Sequence, residues 1–349
     1  MNWKKNAIAA GFCLFRATRL HRFAGEYFRG RGALLTFHRV RPAPQTGFAP
    51  NALLEITPEF FDAALTRLRE NGLALVSLDE AMYRLVSGKG GPFAALTFDD
   101  GFRDCLDFIL PTLERHDAPG VFYLAPGLID RTAHLWWVEL EEAIRRLDRI
   151  ELDFDGARLA LPTTNDDEKS AAFERIYRLL RGGSDERLLA AVAELAARAE
   201  IDAGALVEAH CLGWDEAREL ASHELVTIGA HSLSHPRLSG LQVEAARRQM
   251  TESRARLERE LGQRIRHFAY PYGDVGSAGP REFALAQETG FATAATTRPG
   301  MIFPEHADHL FALPRLSANG LWQDLAAFDV LLSGAPFALW NGGRRLNIG

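Results

Sequence analysis

Residues 93–101 read FAALTFDDG. The first six are apolar or, at Thr97, β-branched, the pattern of a strand buried on both faces. The run then stops at two adjacent carboxylates and a glycine. Desolvating an unpaired carboxylate is costly, so Asp99 and Asp100 need a partner where that strand ends. Six more short apolar runs share the format: GALLTFHRV (32–40), GVFYLAPG (120–127), LVTIGAHS (225–232), FAYPYG (268–273), GFATAATT (290–297) and FALPRLS (311–317).

Between these runs lie helical patterns, at residues 57–71, 77–88, 102–116, 243–261 and 279–290. Ser77 with Glu80 three residues on reads as a capping box, and Pro280 suits a first helical turn. Strands alternating with helices predict a parallel sheet. At 349 residues the leading arrangement is an α/β fold of the (β/α) barrel type, with a doubly wound open sheet as the alternative. Residues of about 130–222 break the rhythm and read as a mainly helical insertion, with a brief polar–apolar alternation at IELDFDGARLALP (150–162). At its start, Trp136 and Trp137 allow two readings: a sugar-stacking wall, or a hydrophobic clasp that holds the insertion.

Composition narrows the class. The chain is 47% hydrophobic with a formal charge of -6, an ordinary globular balance whose acidity argues against nucleic acid as a partner. Cys13, Cys105 and Cys211 are odd in number and far apart, which fits a reducing compartment and neither a disulfide framework nor a cysteine zinc site. The opening MNWKKNAIAAGFCLF imitates a secretory signal, but Arg16 and Arg19 follow at once without a small-residue cleavage site. Its apolar run is too short to span a bilayer. The expected layout is a basic helical segment at 1–32 and a barrel over 33–349. The basic segment either packs on the barrel or lies on an anionic membrane, and the expected location is cytoplasmic, with peripheral membrane contact in the second case.

In a βα barrel the strand C-termini open on one face, where the site is built. Those ends carry His38, Asp99, Asp100, His231, His235, Tyr270, Tyr272 and, within FALPRLS, Arg315. Asp100 with His231 and His235 offers one oxygen and two nitrogens, a set suited to Zn²⁺ with positions left over. The i, i+4 spacing brings both imidazoles to one ion if the segment turns as a helix does. Asp99, beside that set, is placed to take a proton from the attacking water.

TFDDG (97–101), HSLSH (231–235) and YPYG (270–273) resemble, in order and spacing, the first three motifs of the polysaccharide deacetylase family (the NodB-homology domain, carbohydrate esterase family four). The likeness spans roughly residues 33–320 without the insertion. It implies a distorted (β/α) barrel of about seven parallel strands. It implies a metal-dependent hydrolase, acting on carbon–nitrogen bonds other than peptide bonds, that removes acetyl groups from N-acetylglucosamine-type polysaccharide or oligosaccharide: chitooligosaccharide, peptidoglycan or exopolysaccharide. An O-acetyl esterase of the xylan type and an inactive carbohydrate-binding module are the alternatives. By resemblance Asp99 is the general base, Asp100, His231 and His235 hold one divalent ion, and Tyr272 offers its backbone N–H to the oxyanion.

Two positions depart from the family pattern. The third motif commonly carries an arginine two residues before its proline, where this chain has Ala269, and the usual C-terminal histidine is absent after LPRLS. Members acting on poly-N-acetylglucosamine exopolysaccharide carry the histidine on the first strand instead, and LLTFHRV is similar. His38 is therefore the expected general acid and Arg315 the replacement brace for Asp99. Should His38 face away from the site, His306 or His309 would take its place.

Overall fold

The computed structural model describes residues 27–44 and 47–348. The apolar runs form strands β1 (Gly32–Phe37), β2 (Phe93–Phe98), β3 (Gly120–Leu124), β4 (Val226–Ala230), β5 (His267–Ala269), β6 (Thr293–Pro299) and β7 (Leu313–Ser317). They are parallel neighbours in the order β1-β7-β6-β5-β4-β3-β2. The ring closes because β1 also pairs with β2, in unbroken register from Gly32↔Phe93 to Phe37↔Phe98. The fold is a (β/α) barrel, and the open-sheet alternative falls. A two-residue strand, Ala74–Leu75, pairs with the first residues of β2 on the edge that β3 takes further along.

Period-2 alternation sorts the side chains. Leu34, Phe93, Ala95, Tyr123, Ala269 and Leu313 come from strands all around the ring yet pack together, which only the barrel interior permits. The intervening residues face outward. Phe37, Phe98 and Phe122 lie at matched register on three adjacent strands and stack at 5.4 and 4.7 Å, with Phe61 edge-on against the first two. Phe61 belongs to helix α1 (Pro58–Glu70), so this aromatic ladder fixes α1 to the wall.

Further along the chain lie α2 (Leu78–Ser87), α3 (Leu110–Arg115), α4 (Trp136–Arg146), α5 (Asp166–Gly182), α6 (Asp185–Arg198), α7 (Ala203–His210), α8 (Trp214–Ala221), α9 (Val243–Leu261) and α10 (Pro280–Glu288). Of the capping box read at α2 only one half forms: the Glu80 N–H donates to Ser77 Oγ at 3.2 Å, while the Glu80 carboxylate accepts from Arg84 Nε at 2.7 Å, and left-handed Gly88 ends the helix. The expected single helix over 102–116 is interrupted. Cys105–Ile109 form a wider π turn before α3, because Pro111 lacks an N–H and would clash with the carbonyl of Asp107.

Helices α4 to α8 make up the insertion, between β3 and β4. The alternation at 150–162 is a hairpin, Arg149–Phe154 against Ala157–Pro162, turned through Asp155 (φ 54°) and Gly156 (φ 77°), the two positive φ values of a type I′ turn. The expected basic segment lies mostly outside the described residues. Of its last residues, Arg29 donates to Asn71 Oδ1 at 3.0 Å and Arg31 to the carbonyls of Gly88, Lys89 and Gly90 at 2.9–3.1 Å, so both are bound to the barrel. Among the described residues no helix is long and apolar enough to cross a membrane.

Gly229 on β4 tests the packing of the interior. A Cβ there would lie 2.4 Å from Cδ1 of the buried Tyr123 ring. Gly229→Ala is expected to destabilise the fold by about 1–3 kcal/mol, measured by denaturant unfolding; unchanged stability would contradict this packing.

Candidate metal centre and active site

Asp99 continues the inward-facing series Phe93, Ala95, Thr97 by one step beyond β2. Its carboxylate therefore enters the mouth of the barrel, where it is buried. Its partner comes from β7. Arg315 donates from its two terminal nitrogens to the two oxygens of Asp99 at 2.7 Å each, a bidentate pair. The same guanidinium donates to Thr97 Oγ1 at 3.0 Å and to the Thr296 carbonyl at 2.8 Å. Burial would raise the pKa of Asp99, but the charge of Arg315 overrides it and keeps the group below the ordinary carboxylate value.

Asp100 points elsewhere because its backbone turns over. Asp100 and Gly101 both adopt left-handed conformations (φ 73° and 74°), an arrangement that carries strain at Asp100 and positions its carboxylate beside two histidines. His231 Nε2 and His235 Nε2 lie 3.4 and 3.3 Å from Asp100 Oδ1. Burial would push Asp100 up, but the two imidazoles hold it well below the usual range.

The histidines converge by a different route from the one the spacing suggested. HSLSH is not helical; it is a loop with Ser232 (φ 61°) and His235 (φ 59°) in left-handed conformations. The loop is pinned by His235 N–H donating to Ser232 Oγ at 3.0 Å, and by the N–H groups of Leu233 and Ser234 donating to Gln249 Oε1 on α9 at 3.0 Å.

The donor set fits a divalent cation. Asp100, His231 and His235 are all buried, with one ligand atom of each within 4.8 Å of the others. Asp100 Oδ1 is buried without a hydrogen-bond partner in the described residues, an orphan that a cation would satisfy. His231 Nδ1 lies 2.8 Å from the Ala269 carbonyl. A carbonyl only accepts, so Nδ1 carries a proton, which leaves Nε2 to offer its lone pair when an ion is bound. Ala269, where the family pattern has its arginine, thus contributes its backbone oxygen, and the guanidinium comes from Arg315 instead.

The structure brings His38 to the same rim, partly exposed, with Nε2 3.9 Å from Asp99 Oδ2. His306 and His309 are at the opposite end. They flank a turn that follows Ile302, which bridges to Gly32 at the start of β1. His306 is buried there, accepts the Phe303 N–H on Nδ1 and is pushed by burial down to about 4. His267 is tied to Thr293 Oγ1 at 2.9 Å at the first residues of β5 and β6.

Tyr272 adopts a left-handed φ of 61°, and its carbonyl accepts from Thr297 Oγ1 at 2.5 Å. Its side chain is gripped by the insertion. Trp136 Nε1 donates to the Tyr272 hydroxyl at 2.7 Å, and the Arg181 guanidinium lies 3.9 Å from the centre of the phenol ring. Trp137 packs 5.1 Å from the His235 ring. Both tryptophans are buried, so the clasp reading holds and the exposed sugar wall does not. Tyr177 stacks on Trp136 at 5.2 Å. Arg181 and Tyr177 carry no local sequence signal; only the docking of α5 reveals them.

Replacing Arg315 by Met would leave the Asp99 carboxylate buried and unpaired. A loss of about 3–5 kcal/mol is expected in denaturant unfolding, with a smaller loss for Arg315→Lys, which keeps the charge. Equal stability of Arg315→Met and wild type would show that the pair does not hold Asp99.

Comparison with known proteins agrees with this geometry. Residues 160–293 match the model of the family described as polysaccharide deacetylase, a stretch that includes the HSLSH and YPYG motifs. YxkH of Bacillus subtilis (strain 168), named as a polysaccharide deacetylase, is 28% identical over 110 residues, which is 32% of this chain and 37% of that protein. Three solved structures share the fold over 86% of this chain. They are the deacetylase PplD of Streptococcus pyogenes in complex with acetate (16% identity, 96% of that chain, TM-score 0.57), IcaB from Ammonifex degensii (19%, 97%, 0.52) and a de-N-acetylase from Aggregatibacter actinomycetemcomitans (14%, 99%, 0.53). The match over residues 160–293, the closed barrel and the clustered motifs together make this chain similar to the polysaccharide deacetylase family.

Proposed function

We propose that the protein is a divalent-metal-dependent deacetylase that removes acetyl groups from N-acetylglucosamine-type polysaccharide or oligosaccharide. The observation that carries this reading is a carboxylate held ionised by a bidentate arginine, directly beside a buried Asp100–His231–His235 donor set. A divalent ion bound there, Zn²⁺ by ligand preference, lowers the pKa of water and polarises an acyl oxygen.

The chain's own residues do the rest. Asp99 takes the proton of the attacking water, and Arg315 keeps its carboxylate ionised and fixed in orientation. The Tyr272 N–H donates to the oxyanion as negative charge develops. His38, whose Nε2 lies 3.9 Å from Asp99 Oδ2, protonates the departing amine. That step matters more for an amide than for an ester, because an unprotonated amine leaves poorly.

Acetate release by zinc-loaded protein tests the reading. Release from N-acetylated glucosamine oligosaccharides is expected. Release from acetylated xylan alone would point to an esterase, and release from neither, with metal bound, to a carbohydrate-binding protein. His235→Ala is expected to lose most of the bound metal in elemental analysis while keeping the fold; wild-type stoichiometry would remove His235 from the centre.

Asp99→Asn is expected to keep the metal and lose about 10²- to 10⁴-fold in turnover. Near-normal turnover would exclude Asp99 as base. His38→Ala is expected to slow amide hydrolysis far more than hydrolysis of an activated acetyl ester, whose leaving group needs no proton. An equal loss on both substrates would exclude His38 as the acid.

A further inference from the structure

Behind the third motif a cavity of roughly 640 Å³ opens between the loop after Gly273, the end of β6 and residues 340–348. The volume is in the range of small-molecule sites. Its lining includes Asp274, Arg298, Trp340, Asn341, Arg344 and Asn347. Thr297, which also lines it, holds the Tyr272 carbonyl, so the cavity shares a wall with the proposed reaction site without containing any of its ligands.

Among the described residues the charges of this cavity are unbalanced. Arg298 is buried, yet it donates only to backbone carbonyls, from Nη2 to Ala278 at 2.7 Å and from Nη1 to Asn347 at 3.3 Å. Its Nε is buried with no partner among the described residues. A buried guanidinium without a bonded anion is costly. Arg344 is exposed at the same cavity and makes no ion pair among the described residues. The one lining carboxylate among the described residues, Asp274, is already engaged by Arg181 at 3.3 Å, by Ser277 Oγ at 3.0 Å and by the Gly276 N–H at 2.8 Å. Trp340 leaves two-thirds of its surface exposed, a flat apolar face beside two cations.

We infer that this cavity binds an oxyanion, phosphate or carboxylate, carried on a sugar whose ring rests on Trp340. The two guanidiniums supply the charge that the acidic group needs, and the indole covers the apolar face of the ring. Its place next to Tyr272 would let it hold an acidic sugar unit of a chain whose neighbouring unit reaches the reaction site.

Calorimetric titration of the full chain with glucose 6-phosphate, glucuronate, inorganic phosphate and glucose tests this without any turnover. Saturable binding of glucose 6-phosphate or glucuronate is expected, with glucose not binding. Whichever of the two binds more tightly identifies the acidic group. Arg344→Ala, an exposed change that leaves the core intact, and Trp340→Ala are each expected to weaken that binding about tenfold or more, the effect of losing a charged hydrogen bond or a stacking face. His235→Ala should bind as wild type does, so the outcome is independent of whether the protein is a deacetylase. Inorganic phosphate binding as tightly as the phosphosugar would keep the anion site and overturn the sugar contact. No saturable binding of any probe, or binding unaffected by Arg344→Ala, would overturn the inference.

Discussion

The bidentate pair between Arg315 and Asp99 joins strands that are two places apart in the barrel, β7 and β2, with β1 between them. Neither partner is stable alone in that position, since each is a charge removed from water and each is buried. The pair is satisfied further by Thr97 and by the Thr296 carbonyl, which draws β6 into the same knot. The barrel can afford two opposite charges at its mouth because their geometry leaves few bonds unmade. Closure of the ring between β1 and β2 is what sets β7 at reach of Asp99. A chain that left the sheet open would strand both charges.

Around this pair the site is assembled from strand ends and from backbone forced into left-handed conformations. Asp100, His235 and Tyr272 all have positive φ without being glycine. Each is a modest cost, and each aims a functional group away from the direction its strand would give it. The neighbours that enforce these conformations lie outside the motifs: Gln249 on α9 holds the histidine loop, and Thr297 on β6 holds the Tyr272 carbonyl.

The insertion between β3 and β4 is part of that enforcement. Its tryptophans look from sequence like a surface that could meet sugar, yet they face inward, one bonded to the Tyr272 hydroxyl and the other against His235. The interaction is apolar on one side of each indole and polar at a single N–H, which is how a buried tryptophan is normally accommodated. An insertion that reads as a decoration on the barrel is therefore a wall of its central site.

The sequence by itself determined the strands, because a barrel strand buried on both faces is a continuous apolar run that needs no partner to be recognised. It also determined that Asp99, Asp100, His231 and His235 share a rim, because strand C-termini of a parallel barrel open on one side. The i, i+4 spacing of the histidines misled as to mechanism: local spacing cannot tell a helical turn from a loop bent at Ser232 and His235. The likeness of LLTFHRV to a family arrangement picks out His38 ahead of His306 and His309, but the local pattern does not, since all three lie in or near apolar text. Only the tertiary structure decided that His38 is at the rim and the other two are at the far end. The same holds for the geometry of Arg315: the sequence names it as the brace for Asp99, but the bidentate contact across 216 residues of chain is set by ring closure. It holds too for Arg181, brought to Tyr272 by the docking of a helix whose own pattern records only which of its faces is apolar. Contacts of that range depend on how elements pack against one another, and a linear pattern encodes which face packs but not against what.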